Sequence, residues 1–499
     1  MSHESIRTAV QLILPECILI GTVCVMFLTG PFLLGRNGQA SPGLRHRWGA
    51  LALLAIGAAA WQWWHTTPVA AIDGPFLSDG LSFTIRGIVL ALGAVLVLAA
   101  WNQLDDRTSA ECNACLLALL AGVNLTAAAN DIITLFLGLE LVSIPTYLLL
   151  YLPTRSRPAQ EATIKYFLLS LFSSAMLVYG LALLYGATGT TMLPEIVELL
   201  KATSLTESPL LLIAAPLIAA GLGFRITAVP FHFYAPDVFQ GVPAFMAALL
   251  SFIPKVVGFT ALWRLTALTS RAAAESADAV STYMASVLAV LAVLTMFIGN
   301  LMALRQSNLH RLLAYSSVAH GGYMLVGLLA GGGSSGVPGG AALLFYLAAY
   351  GFMTIGAFCI LLAARRSGDS IRTIDELAGL GSSQPLAALV LSVFLFSLAG
   401  LPPTAGFLGK FNLFLAAWSS GVSGTRWLAV ILAMNAAISA WYYLRLIGVM
   451  YLQSPQPSTA DAPTRNLPAW IATAVCVAGT LGLFLVPQAV WDAALLATQ

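Results

Sequence analysis

Long unbroken apolar runs constrain this chain more than any other feature. Gly87 to Trp101 and Ala342 to Ala364 pass without one charged side chain. A membrane-spanning helix needs about 20 such residues, whereas a barrel strand alternates polar and apolar over about 10. The alternation is missing, so the runs predict helices, which satisfy their own backbone hydrogen bonds in lipid. Fourteen spans are expected, near 8–30, 47–66, 81–101, 111–128, 130–152, 161–187, 208–234, 242–267, 280–303, 309–330, 338–364, 384–419, 425–452 and 467–489. Only 9% of the 499 residues are charged, against about 25% in a soluble domain. Disorder is excluded by the apolar content, and a net charge of +2 offers no basic stripe for nucleic acid. The expected fold class is an all-α polytopic membrane protein.

No linker is long enough to mark a soluble domain, so residues 1–499 read as one membrane domain. The first apolar segment lacks an Ala-x-Ala-like cleavage site and is expected to remain as a helix. Loop charge sets the orientation. With the N-terminus outside, loops after odd-numbered spans hold Arg36, Arg45, Arg47, Arg107, Arg155, Arg157, Arg305, Arg311, Arg365, Arg366, Arg372 and Arg465. Loops after even-numbered spans hold only Lys201, Arg264, Arg271 and Arg426. This positive-inside bias puts both termini on the outer face, which is periplasmic if the membrane is a bacterial inner membrane.

Several motifs carry less than they suggest. Cys112-x-x-Cys115 has no second pair or nearby histidine, and opens an apolar span, so it reads as packing. Gly331-x-Gly333-x-x-Gly336 lies in a short loop with no strand before it, and Gly409-Lys410 is followed by Phe411 rather than Ser or Thr. No redox cofactor or metal is expected in this chain.

The chemistry is sought in ionisable groups inside the spans, where each costs at least about 2.5–3.5 kcal/mol to insert. Glu140 stands mid-span among apolar neighbours. Arg225 follows Gly221-Leu-Gly223-Phe224, with Pro230, His232 and Pro236-Asp237 just beyond. Lys255 follows Pro254, and Lys410 follows Gly400-Leu-Pro402-Pro403-Thr404-Ala-Gly406. Prolines at these places break helices, and broken helices build ion sites in transporters. Breaks are therefore expected in spans seven and twelve. His320 lies mid-span beside Gly321-Gly322, either as a relay or as a hydrogen-bonded structural group. Lys165, near the inner end of its span, either joins the line or snorkels to the surface. Glu16, Arg86 and Arg445 read as local anchors. Spans four to eight (111–267) and nine to thirteen (280–452) are two five-helix blocks, each with its break in the fourth helix. An odd number of helices makes the second block enter from the opposite side, which predicts an inverted repeat. Three helices (8–101) precede the blocks, and one (467–489) follows.

Leu135-Phe-Leu-Gly-Leu-Glu140, Gly223-Phe-Arg225, Val229-Pro-Phe-His232, Pro236-Asp237-Val-Phe-Gln-Gly-Val-Pro243, Arg311-Leu-Leu-Ala-Tyr-Ser-Ser-Val-Ala-His320 and Leu401-Pro-Pro-Thr-Ala-Gly-Phe-Leu-Gly-Lys410 resemble the proton-translocating antiporter-like family. The Leu14-Pro-Glu16 start is most similar to its subunit N branch (mitochondrial subunit 2) in respiratory complex I. The resemblance implies a proton-translocating membrane-arm subunit of NADH:quinone oxidoreductase. Its partners would be the other membrane-arm subunits and the lipid bilayer, while NADH, FMN, iron–sulfur clusters and quinone are used elsewhere in the complex. The resemblance further implies that Glu140, Lys255 and Lys410 are the ionisable groups of spans five, eight and twelve, with His232 and His320 at polar positions along the axis. The family usually has lysine where this chain has Arg225. A guanidinium stays protonated, so Arg225 is expected to hold Glu140 ionised and to act on Lys255 by its field, without carrying the proton. A subunit of a multi-subunit cation/proton antiporter or a membrane-bound hydrogenase is the alternative, and a non-transporting membrane module a third.

Overall fold

A computed structural model of the chain describes residues 10–33, 40–66, 74–154, 156–202, 208–273, 279–331, 336–364, 371–422, 424–454 and 466–498, with side chains at 201–202, 267–273 and 279–281 excepted. Of the loop cations that set the orientation, Arg36, Arg155, Arg365, Arg366 and Arg465 lie outside the described residues, as do the side chains of Lys201 and Arg271.

Among the described residues the chain forms helices α1 (Leu14–Thr29), α2 (Leu44–Trp64), α3 (Gly80–Ala100), α4 (Ser109–Ala127), α5 (Ile132–Tyr151), α6 (Arg157–Thr188), α7 (Leu193–Ala202), α8 (Pro209–Arg225), α9 (Ala235–Gly241) and α10 (Ala244–Ala273). It continues through α11 (Ala279–Leu304), α12 (Leu309–Ala330), α13 (Gly339–Ala363), α14 (Leu380–Ser383), α15 (Pro385–Ala399), α16 (Ala405–Ser419), α17 (Thr425–Leu452), α18 (Leu467–Leu485) and α19 (Gln488–Leu496). Eleven of these, α1, α3–α6, α10–α13, α17 and α18, are long and apolar enough to cross a membrane. The less apolar α2 carries Arg45 and Arg47 in its first turn.

Side-chain oxygens start several of the helices. Asp131 accepts from the N–H of Ile133 and Thr134 at 2.8 Å each, and Asn308 accepts from Arg311 N–H, satisfying donors that the first turn leaves orphaned. The first turn of α2 has no such residue of its own. Asp106, in the α3–α4 loop, reaches across to accept from the N–H of Arg45 at 2.7 Å and of Gly43 at 3.2 Å. Burial raises the Asp106 carboxyl, and these two donors outweigh it and hold the group below its usual range.

The centre of the bundle is α10, α12 and α13, which are buried almost throughout. Around them α6 packs on α8, α11 on α12, and α18 on α13. Small residues allow the close crossings: a Cβ on Gly221 would stand 2.7 Å from Leu177 Cβ.

Two apolar segments are interrupted. Helix α8 stops at Arg225 and α9 starts at Ala235; α15 stops at Ala399 and α16 starts at Ala405. The first stop falls five residues before Pro230. A proline removes the N–H that would reach the carbonyl four residues back, and its ring clashes there, so Pro230 leaves the carbonyl of Ile226, the C-cap of α8, without a helical partner. The gap is sealed by neighbours. Val229 N–H donates to Thr295 Oγ1 on α11 at 2.9 Å, and Tyr234 OH donates to Phe224 O at 3.0 Å.

Candidate functional site: a buried polar line through two broken helices

At the first break, Arg225 lies buried at the end of α8 and reaches α5. Its Nη2 donates to Glu140 Oε1 at 2.8 Å, and its Nη1 donates to Ser143 Oγ at 2.8 Å and Leu139 O at 3.1 Å. Ser174 on α6 donates to the same Glu140 oxygen at 2.7 Å. The guanidinium fork thus sits in a fitted cradle. Arg225 is 6% exposed, while Glu140 is 23% exposed at the edge of the chain.

Lys255, 1% exposed on α10, has no carboxylate within ion-pair distance among the described residues. Its Nζ donates to Thr227 Oγ1 at 2.7 Å and to Ile226 O at 3.3 Å. The second acceptor follows from the sequence. In a continuous helix Ile226 O would take the N–H of residue 230, and residue 230 is proline. The second break repeats the device. Lys410 Nζ, on α16, donates to Leu398 O at 2.7 Å and Ala399 O at 3.0 Å. Those carbonyls would serve residues 402 and 403, both prolines. Each lysine therefore caps the C-terminal, partially negative end of the half-helix before its break. Lys410 also lies 5.1 Å from the centre of the Tyr323 ring, within cation–π range.

Between the lysines stands His320 on α12, 1% exposed. Its Nδ1 is 2.5 Å from Tyr346 OH and its Nε2 is 3.1 Å from Tyr443 OH. Tyr443 continues to Ser316, and Tyr350 donates to Ser317 at 2.8 Å. Nearby, Asn300 donates to Tyr323 OH at 3.0 Å and Asn435 Oδ1 at 3.1 Å, and accepts from Tyr442 at 3.0 Å. Gly321 brings α12 against the first break: a Cβ there would stand 2.9 Å from Ile226 O and 4.0 Å from Lys255 Nζ. Such buried hydroxyl and imidazole groups can both give and accept a proton.

The structure thus brings Arg225, Lys255, His320 and Lys410 into the protein interior at the two breaks and between them, with Glu140 at the edge of the chain against Arg225. His232 lies in the first break, its ring centre 6.4 Å from that of Tyr315. Lys165 lies elsewhere. It is 40% exposed and pairs with Glu161 at 2.7 Å and Asp237 at 3.0 Å. Asp237 also accepts from Arg311 at 2.6 Å. Glu161, Lys165 and Asp237 line an open cavity of about 480 Å³ with Arg372 and Glu376. Lys165 is thus a partly exposed member of an ion-pair cluster. Glu16 and Arg86 bond each other at 2.8 Å and are both 2% exposed. Cys112 and Cys115 are buried free thiols in α4. Ser143, Ser174, Thr227, Tyr346 and Tyr443 escape a reading that weighs charged groups alone. Their one signal is a polar side chain in an apolar span, such as Ser173-Ser174 or Tyr442-Tyr443.

Residues 129–439 match the family described as NADH:quinone oxidoreductase/Mrp antiporter, transmembrane. The chain is 39% identical over 479 residues to NADH-quinone oxidoreductase subunit N of Trichlorobacter lovleyi, covering 96% of this chain and 94% of that one. The chain belongs to the NADH-quinone oxidoreductase subunit N family. Subunit N of Rhodospirillum rubrum is 36% identical, covering 97% of this chain and 96% of its own length. A chain of respiratory complex I from Thermus thermophilus superposes with a TM-score of 0.77 at 31% identity, covering 96% of this chain and 98% of that one. A chain of the Mrp complex from Dietzia superposes with a TM-score of 0.76 at 22% identity, covering 97% of each, and shares the fold. Members of the subunit N family are multi-pass integral membrane proteins, and the all-helical fold with its eleven candidate spans is of that kind.

Proposed function

We propose that this chain moves protons across the membrane as a membrane-arm subunit of NADH:quinone oxidoreductase, through Glu140, Arg225, Lys255, His320 and Lys410. His232 offers a side path in the first break, and Lys165 belongs to the inner-face cluster. The observation that carries this is the pair of buried lysines, each held by groups at the end of a broken half-helix and neither within ion-pair distance of a carboxylate among the described residues. A cation held in this way can release a proton without stranding a buried anion. The guanidinium of Arg225 stays charged, so it is the counter-charge to Glu140 and Lys255 is the carrier. Opening or closing the Glu140–Arg225 pair changes the field at Lys255, and Lys410 passes the proton outward. The coupling between sites is electrostatic and needs no covalent chemistry.

Redox chemistry with NADH, FMN, iron–sulfur clusters and quinone belongs to partner subunits on this reading. Among the described residues no group of three His, Cys, Asp or Glu side chains is placed to hold a metal. The open edge at Glu140 supports a neighbouring membrane-arm subunit there, because a carboxylate facing lipid is costly.

The topology proposed is fourteen crossings, counting α2 and each broken pair, in two inverted five-helix blocks (111–267 and 280–452). Both termini lie on the periplasmic side of a bacterial inner membrane. The partnering of Lys165, Asp237 and Arg311 supports it, since all three then fall at the inner face. Cysteine labelling near Arg365 is expected only from the inner face, and labelling of intact cells from outside would refute the orientation. Tagged chain is expected to copurify with NADH-dehydrogenase subunits. Lys255→Ala in that complex is expected to stop proton pumping through this chain. Copurification with antiporter subunits alone would refute the assignment.

A further inference from the structure

The two breaks differ in how they supply the second acceptor for their lysine. Pro402 and Pro403 together free two carbonyls, and Lys410 takes both. Pro230 stands without a second proline beside it and frees Ile226 O. The other acceptor at the first break is a side chain, Thr227 Oγ1, 2.7 Å from Lys255 Nζ.

The backbone marks this threonine as unusual. Thr227 has φ +58° and is the non-glycine residue with positive φ among the described residues. The second break also needs a left-handed residue, and there it is Gly400, φ +83°. Glycine adopts that conformation without steric cost, and a β-branched residue does not. A strained threonine where glycine would serve the backbone points to its side chain. The side chain is fully engaged: Thr227 Oγ1 donates to Ile226 O at 2.6 Å and so turns its lone pairs toward Lys255. The turn around it is tightly seated. A Cβ on Gly258, one turn beyond Lys255 on α10, would stand 2.6 Å from Ile226 Cγ2, and one on Gly321 would stand 2.9 Å from Ile226 O.

We infer that Thr227 is a positioning residue for proton transfer: its hydroxyl fixes Lys255 Nζ and ties that group, through the three-residue segment Arg225–Thr227, to the Glu140–Arg225 pair. Movement of Arg225 in its cradle then reaches the lysine through the turn as well as through the field. This rests on the reading of Lys255 as the carrier.

The test uses the whole complex in liposomes, with NADH and a quinone, reading turnover and acridine-dye quench, and native gels for assembly. Thr227→Gly relieves the backbone and removes the hydroxyl, and Thr227→Val keeps the shape without it. Both are expected to lower pumping-coupled turnover about tenfold, the factor for one hydrogen bond to a charged group. Thr227→Ser, which restores the hydroxyl, is expected to rescue it. A purely backbone role gives the opposite order, with glycine best. Full pumping in an assembled Thr227→Gly or Thr227→Val complex overturns the inference. Lys255→Met in the same assay separates the two failures. If it is dead while Thr227→Gly pumps, only the role of Thr227 falls; if Lys255→Met pumps, the carrier assignment falls and takes this role with it.

Discussion

Lys255 in the first break and Lys410 in the second sit on the ends of interrupted helices, in surroundings that differ in charge. At the first break Arg225 forms an ion pair with Glu140 and directly precedes Ile226 and Thr227, which hold Lys255. Lys410 has two carbonyls, the left-handed Gly400 and the face of Tyr323, with no carboxylate within ion-pair distance among the described residues. Proline thus suffices to seat a buried ammonium, and the ion pair is an addition found at one site. On the proposal that Lys255 is the carrier, the first break would control the protonation state and the second would be a station on the way.

Substitutions can break or sharpen this contrast, and the largest effect is expected where the second break closes. A Cβ on Gly406 would collide with Ser397 O, while one on Gly223 would only touch Phe231, at 3.0 Å. Gly406→Ala is therefore expected to destabilise by more than about 3 kcal/mol and to cost assembly on native gels, with Gly223→Ala near 1 kcal/mol. Next come the prolines. Pro230→Ala supplies an N–H to compete for Ile226 O and is expected to lower turnover about tenfold. Pro402→Ala leaves Ala399 O free for Lys410 and is expected to cost about threefold at most, measured in the same liposomes.

Two further substitutions are read in stability alone. Glu140→Ala leaves Arg225 unpaired in its cradle. Because Glu140 is partly open, the loss in the thermal melt of the purified complex is expected near 3 kcal/mol, the low end for a broken buried pair. The smallest effect lies away from both breaks. Asp106→Asn weakens the cap on α2 by about 0.5–1 kcal/mol. The Asp106 carboxyl is held below its usual range, so its contribution is present above that range and disappears as pH falls through the lowered value. Parent and variant melts should differ at neutral pH and converge in acid.

The charged groups that meet at the breaks were legible in the sequence as candidates, because a Glu, Arg or Lys inside an apolar span has few cheap explanations. The breaks were legible through Pro230 and Pro402-Pro403, and the spacing of a helical hydrogen bond tells which carbonyls they free. The hydroxyl partners were not legible. Most Ser and Thr side chains in a helix bond their own carbonyl four residues back, as Thr146 does to Val142 O and Ser392 to Ala388 O. Nothing local distinguishes these from Ser174, which reaches Glu140, or Thr227, which reaches Lys255. Lys165 illustrates the converse. Its place near a helix end fitted either role, and only the positions of Glu161 and Asp237 put it at the surface.

The most direct test of Lys255 as the carrier compares protons moved per NADH oxidised in liposomes for Lys255→Ala and Arg225→Lys. Lys255→Ala is expected to abolish pumping through this chain and to slow NADH–quinone turnover. Arg225→Lys keeps a cation against Glu140 and is expected to retain most of the pumping. Normal pumping by Lys255→Ala together with a dead Arg225→Lys would contradict that assignment and move the carrier to position 225.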